Sequence, residues 1–312
     1  MLKTLVPIVL LIMTGVLLKK IKFVKDETIG GIKKIATNVF LPVVIFNALV
    51  TTDLNMDSIF LVVLGMSVLF IGFGLGFVLK KLNKKEYRKY IPFTTTLFEG
   101  GMIGYALTEA LVGKDNLFYI ATIDIAGVIF GFTIWVTLLQ RAGDDVTNDN
   151  VKKNNILIDM IKSPTLIAAI LGMIISFTGL GRVLLESNIG PVYENTADMF
   201  SAPLTPVILI CLGYGLKFSK ENLIDAFIMA GQRIMAVAVA VVISLLIFGS
   251  FLEFTPELKI SMIMYYALPP SMLVSVYTKG EKNQGVMSCM LSMYIVLSLI
   301  IFSILLWRVK SA

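Results

Sequence analysis

Apolar runs of about 20 residues recur along this chain from one end to the other, the length a helix needs to cross roughly 30 Å of hydrocarbon. They fall at 2–18, 35–52, 57–79, 90–112, 116–140, 163–180, 191–216, 234–252, 257–277 and 284–308. In lipid a backbone must satisfy its own polar groups, so each run is expected to be a helix. A β-barrel would show alternating segments about half as long, and the sequence has none. With 57% hydrophobic and 15% charged residues in 312, a soluble or disordered chain is excluded. The expected fold class is an all-α polytopic membrane protein with ten transmembrane helices. The first run is followed by no small-residue cleavage site and reads as a retained span.

The net charge of +6 points to topology rather than to nucleic acid, because the basic residues sit in short loops between the runs. The loops after spans 1, 3, 5, 7 and 9 carry 21 of the 27 Lys and Arg, with Arg233 counted in the loop after span 7. Loops rich in Lys and Arg stay in the cytoplasm, which puts both termini outside a cell membrane. Cys211 and Cys289 lie within apolar runs and read as small packing residues rather than as a disulfide or metal pair. The chain has no histidine, which removes the usual zinc ligand and proton relay. No metal ligand set is therefore expected.

One long polar connector, 142–162, divides the spans five and five. The organisation is thus a first repeat at 1–141, a cytoplasmic connector at 142–162 and a second repeat at 163–312. Five is odd, so two halves of one fold must be inverted relative to each other. An offset of 164 residues carries Pro42 onto Pro206 and Ala106 onto Pro270, pairing span 2 with span 7 and span 4 with span 9. Inverted repeats with interrupted spans at matching positions mark secondary transporters.

The interruptions are visible. Pro269 and Pro270 fall inside span 9, where proline removes a donor and clashes with the carbonyl four residues back. Gly100, Gly101 and Gly104 loosen span 4 and permit close backbone contact. Non-helical backbone at membrane depth is tolerated where it is buried in protein or lines a polar cavity. Breaks are therefore expected near 99–104 and 268–271, crossing near the bilayer centre, with Pro269, Pro270 and Ser271 bordering a substrate. Asn38 on span 2 and Ser288 and Ser292 on span 10 are candidate polar neighbours. Their plainer roles are capping the carbonyls freed by Pro42 and bonding back to their own helix. Glu99 and Asp124 both lie roughly 12–14 Å into their spans. No Lys or Arg falls at similar depth in the ten runs, so these carboxylates are expected to bind a coupling proton or cation, Na+ or H+. The plainer reading of Glu99 is an acceptor for broken-helix N–H groups.

Four stretches together resemble the signature regions of the auxin efflux carrier family, which includes plant auxin exporters and bacterial malate-type permeases. They are "NVFLPVVIF" (Asn38–Phe46), "FEGGMIGYALTEALVG" (Phe98–Gly113), "PVILICLGYGL" (Pro206–Leu216) and "ALPPSMLVSVY" (Ala267–Tyr277). The resemblance implies two inverted five-helix repeats, broken and crossing helices 4 and 9, an organic anion bound beside the crossing, and a homodimer. The sequence departs from the family pattern at Glu99, where asparagine is common, and at Ala106, where proline is common.

The leading expectation is a secondary-active carrier of a small organic anion, auxin-like or another carboxylate, working by alternating access between rocking half-bundles and coupled to a proton or sodium. A cation or cation/proton exchanger on the same scaffold and a non-transporting membrane receptor remain alternatives. No metal-site spacing, Gly-x-Ser-x-Gly elbow or phosphate-binding loop supports an enzyme or an ATP motor. The partners expected are a small-molecule substrate and the lipid bilayer, with no cofactor beyond a coupling ion.

Overall fold

The computed structural model describes residues 2–51, 56–143 and 164–311, and from residue 144 onward the connector lies outside these. The regular structure of the described residues is all helical, with no strand among them. Numbered in chain order, the first half holds α1 (Leu2–Lys20), α2 (Asp26–Ile35), α3 (Leu41–Val50), α4 (Met56–Leu79), α5 (Ile91–Thr94), α6 (Tyr105–Val112), α7 (Leu117–Phe130) and α8 (Val136–Gly143). The second half holds α9 (Pro164–Phe177), α10 (Leu180–Glu186), α11 (Gly190–Ser201), α12 (Leu204–Gly215), α13 (Leu223–Phe248), α14 (Pro256–Tyr266), α15 (Leu273–Tyr277) and α16 (Glu281–Ser311).

Among the described residues, five helical stretches are long and apolar enough to cross a membrane: Asp26–Val50, Ser58–Leu82, Gly190–Gly215, Lys220–Phe251 and Glu281–Ser311. Ile167–Phe177 and Leu180–Glu186 reach that length and hydropathy only when taken together, across a bend of 84°. The other expected spans coincide with α1 and with interrupted helices: α5–α6, α7–α8 and α14–α15. The π turn Ala36–Phe40 joins α2 to α3 immediately before Pro42. There the Leu41 N–H bonds the Ala36 carbonyl five residues back. This widening suits a proline that cannot donate and whose ring crowds the preceding turn.

Apolar side chains point outward on this bundle, as lipid requires. Along α13 the exposed residues include Phe227, Met235, Val242 and Leu246, whereas the buried face carries Asp225, Gln232, Arg233, Ala236, Ala240 and Ser244. Small and polar residues inside let helices approach and bond one another. Ser67 and Ser244 hydroxyl oxygens lie 2.7 Å apart between α4 and α13, and the Asn83 amide donates to Gln232 at 2.9 Å. At that end Lys84 pairs with Asp225, while burial and the same carboxylate push the Tyr87 phenol up.

The main packing partners are α1 with α12, α3 with α9, α4 with α13, α4 with α7, and α13 with α16. The two sequence halves therefore interleave instead of forming separate half-bundles. At the first of these contacts a Cβ on Gly15 would strike the Ile210 carbonyl, and one on Gly213 would strike the Ile12 carbonyl, so the two backbones touch. Gly213→Ala is expected to destabilise by about 1–3 kcal/mol, the range for overpacking a tight contact. Gly215→Ala, with open space around its Cβ, is the neutral control. Thermal unfolding of the purified variants checks both.

Arg233 corrects the sequence reading. Its helix begins at Leu223, not near 234, so Arg233 lies inside the bundle and has no exposed surface. A basic residue does stand at depth beside the expected site.

Candidate functional site

Two unwound segments cross inside the bundle. The first, 95–99, follows α5; the second, 267–272, separates α14 from α15. The Glu99 N–H donates to the Pro269 carbonyl at 2.9 Å, a direct backbone bond between them. The span 9 break lies where its two prolines predict. The Tyr265 carbonyl, which loses its donor to Pro269, accepts instead from the Leu268 N–H at 3.1 Å. The helix resumes at Leu273.

The span 4 break comes earlier than its glycines suggest. Residues 100–104 form a π turn, and the chain unwinds just before it. The threonines of the buried run Thr94–Thr96 bond carbonyls, Thr95 reaching Gly72 at 3.0 Å and Thr96 reaching Pro92 at 3.0 Å. Such side chains compete with helix bonding. Trp135 donates to the Thr96 hydroxyl at 2.9 Å and fixes the far side. Leu97 adopts a φ of 38°, a strained value for a side chain of its size, and packs against Gly131.

The glycines serve close approach. A Cβ on Gly100 would lie 2.6 Å from Asp124 Oδ1, one on Gly101 2.7 Å from Leu41 Cδ2, and one on Gly104 2.6 Å from Leu268 Cδ1. The three therefore seat the π turn against α7, α3 and the span 9 break.

Arg233 pins the crossing. Nη1 donates to the Thr94 and Thr96 carbonyls, both at 2.8 Å, and Nη2 donates to those of Leu97 at 2.9 Å and Leu268 at 3.1 Å. One guanidinium thus bonds both unwound segments, exploiting the fixed fork of donors that lysine lacks. The Phe98 and Tyr294 rings lie 4.7 Å and 5.2 Å from its central carbon. Ser298 on α16 adds a further cap, donating to the Ala267 carbonyl at 2.6 Å.

The two carboxylates take different positions. Glu99 Oε2 accepts the Met272 N–H at 2.7 Å. Lys33 of α2 approaches the same place, its Nζ 3.1 Å from Met272 Sδ. Asp124 is 7% exposed; Tyr265 donates to Oδ1 at 2.9 Å, and the Tyr105 hydroxyl stands 3.5 Å from Oδ2.

Of the sequence-predicted residues, Glu99, Gly100, Gly104, Asp124, Pro269, Pro270 and Ser271 meet at the crossing. Gly101 backs onto α3. Asn38 is exposed in the π turn before Pro42. Ser292 donates to the Ser288 carbonyl at 2.9 Å and accepts the Lys217 N–H at 2.8 Å. Ser288 lines a cavity of about 410 Å³ with Lys217 and Ser275. Sequence reasoning missed Arg233, the Thr94–Thr96 run, Tyr105, Tyr265 and Ser298. The stripe of small and polar residues on α13 was the available signal for Arg233. Cys211 and Cys289 are buried free thiols, as expected.

A cavity of about 980 Å³ opens at the end of the bundle bearing Lys114 and Leu185. Glu109, Asp115, Glu194 and Asp198 line it, Lys114 pairs with Asp198, and its inner wall includes Tyr105.

Comparison with known proteins agrees with this architecture. The family profile described as "Membrane transport protein" matches residues 1–308. A protein of Methanothermobacter thermautotrophicus described as an uncharacterized transporter is 22% identical over 98% of this chain and 97% of its own length. With interrupted helices crossing inside an apolar bundle and a profile match over nearly its whole length, this chain is a multi-pass membrane protein and belongs to the auxin efflux carrier family of membrane transporters.

Proposed function

We propose that the protein is a secondary-active carrier that moves a small organic anion together with a neutralising proton or cation across the cell membrane. The observation that carries this reading is the crossing: two unwound segments bonded through Glu99 and Pro269, clamped by Arg233, with two carboxylates beside them. Unwound backbone at depth is the usual means by which a transporter offers polar groups to a solute. Both Nη groups of Arg233 are occupied by carbonyls and only its Nε–H is left without a partner, so its charge supports the scaffold and leaves the carboxylates to be neutralised by an incoming cation.

Packing supports ten spans in two inverted repeats. Exchanging the halves turns the contact of span 1 with span 7 (α1, α12) into that of span 6 with span 2 (α9, α3). The same exchange turns span 3 with span 5 (α4, α7) into span 8 with span 10 (α13, α16). Spans 3 with 8 and 4 with 9 map onto themselves. Spans 1, 2, 6 and 7 then form one group and the crossing belongs to the other. Alternating access on this layout moves the second group against the first, rather than one sequence half against the other. The charge asymmetry favours an extracytoplasmic position for both termini and for the cavity mouth at Lys114 and Leu185.

The acidic lining of that cavity favours one second reading, a cation or cation/proton exchanger. Reconstituted protein separates the two. Carriage of an anion predicts counterflow of a labelled mono- or dicarboxylate, accelerated by an imposed proton or sodium gradient. Cation flux with no carboxylate counterflow selects the exchanger. Absence of both fluxes refutes transport and leaves a receptor.

A further inference from the structure

The outward cavity ends one side chain short of a buried carboxylate. Tyr105, 2% exposed, forms part of its inner wall and also faces Asp124. Its hydroxyl lies 3.5 Å from Oδ2, beyond the 2.5–3.0 Å range of an O–H···O bond. Tyr265 meanwhile holds Oδ1 at 2.9 Å. Asp124 is thus bonded firmly on one oxygen and loosely on the other, and the loose side is the side of the cavity.

Among the described residues no basic side chain pairs with Asp124. Helix α7 packs against α3 and α9, which contain no ionisable residue, and against α4, whose only one is Asp57 in its first turn. From α14 comes Tyr265 and from α6 Tyr105; the π turn at Gly100 brings only Glu99, a like charge. A carboxylate buried in this way takes up a proton or a metal cation, because an isolated ion out of water is strongly disfavoured. Glu99 differs: it already holds the Met272 N–H, with Lys33 close by. At the mouth, Glu109, Asp115, Glu194 and Asp198 outnumber Lys114, and a cleft lined by one sign of charge concentrates the opposite ion.

We propose that Asp124 is the receiving site for a single positive charge, H+ or an alkali cation, which arrives through this cavity, and that Tyr105 is the movable ligand that closes over it. The inference rests on the carrier reading and assigns its two carboxylates different work: Asp124 takes the coupling ion, and Glu99 anchors the span 9 break.

The test needs no knowledge of the organic substrate. Full-length purified protein is unfolded thermally in NaCl, KCl or choline chloride at constant ionic strength, and separately across the mildly acidic to neutral range. A ligand that binds only the folded state raises the midpoint. A rise with Na+ or K+ over choline identifies an alkali cation, and a rise on acidification alone identifies the proton. Asp124→Asn is expected to abolish the response. Tyr105→Phe is expected to weaken it roughly three- to tenfold in half-saturating concentration, the effect of one hydrogen bond. Glu86→Gln, which removes a carboxylate from a surface ion pair with Lys282, is the control that keeps it. A wild-type midpoint indifferent to Na+, K+ and H+, or an undiminished response in Asp124→Asn, overturns the proposal. Should Asp124→Asn fail to fold, an unchanged response in Tyr105→Phe overturns it instead. Counterflow in proteoliposomes reads the carrier function separately. A cation response without counterflow sinks the carrier reading and leaves the site standing, and counterflow without the response sinks the site alone.

Discussion

Arg233→Met is expected to lower stability by about 3–5 kcal/mol, the range for disrupting a buried, bonded charge, and to abolish transport. The methionine keeps most of the volume and removes at once the four N–H groups that bond carbonyls. The carbonyls of Thr94, Thr96, Leu97 and Leu268 are then left in an interior without water, and each unsatisfied group costs about 1–3 kcal/mol before relaxation. Relaxation recovers part of this, because the two segments are free to separate once nothing joins them. Arg233→Lys is the informative companion. An ammonium keeps the charge but not the fork, so it can satisfy carbonyls of one segment and not bridge both. Its expected result is a smaller fall in the unfolding midpoint with transport still severely reduced. Full transport by Arg233→Lys would show that charge alone suffices and that bridging is immaterial.

This residue also shows where sequence reasoning stops. Hydropathy separates apolar runs from polar ones, and Arg233 falls at the edge of an apolar run, where a loop is the simplest assignment. Nothing in that measure registers which face of α13 turns inward. The periodic set Asp225, Met229, Gln232, Arg233, Ala236, Ala240 and Ser244 does, since a membrane helix inverts the usual amphipathic rule and hides its polar side. The missing information was the partner: four carbonyls on two distant segments appear only once the chain is folded.

The two breaks differ in the same way. Span 9 was legible because proline forbids a backbone bond whatever surrounds it. Span 4 was legible only as a weakness, for glycine permits an interruption without placing it. Its position follows from tertiary contacts of Thr95, Thr96 and Leu97, and the glycines turned out to admit Asp124, Leu41 and Leu268. The candidate serines illustrate a third case. The i, i+4 spacing of Ser288 and Ser292 was real, but its main product is the bond from Ser292 to the Ser288 carbonyl, while Ser298 reaches the break.

Replacing both Pro269 and Pro270 with alanine is expected to eliminate transport and leave a folded, membrane-inserted protein. Each alanine restores an N–H, and alanine has the highest helix propensity of any residue. The donors at 269 and 270 fall opposite the carbonyls of Tyr265 and Tyr266, so α14 gains a route to continue into α15. A helix through this stretch rotates the carbonyl at 269 away from the Glu99 N–H and withdraws the Met272 N–H from the Glu99 carboxylate, dissolving the crossing from the span 9 side. Opposing this, Arg233 and Ser298 hold the Leu268 and Ala267 carbonyls in their unwound positions. Those two bonds are worth about 0.5–3 kcal/mol each, against about 3 kcal/mol relieved for every proline removed from a helical path. The balance favours the helix in the double variant and is close in either single one. Graded activity is therefore expected: single variants impaired, the double variant at the background of empty liposomes, all with unfolding midpoints near or above wild type. That pattern differs from Arg233→Met, where stability and transport fall together. Wild-type transport by Pro269→Ala/Pro270→Ala would mean that the crossing is held without its prolines and that the break in span 9 is not what the solute meets.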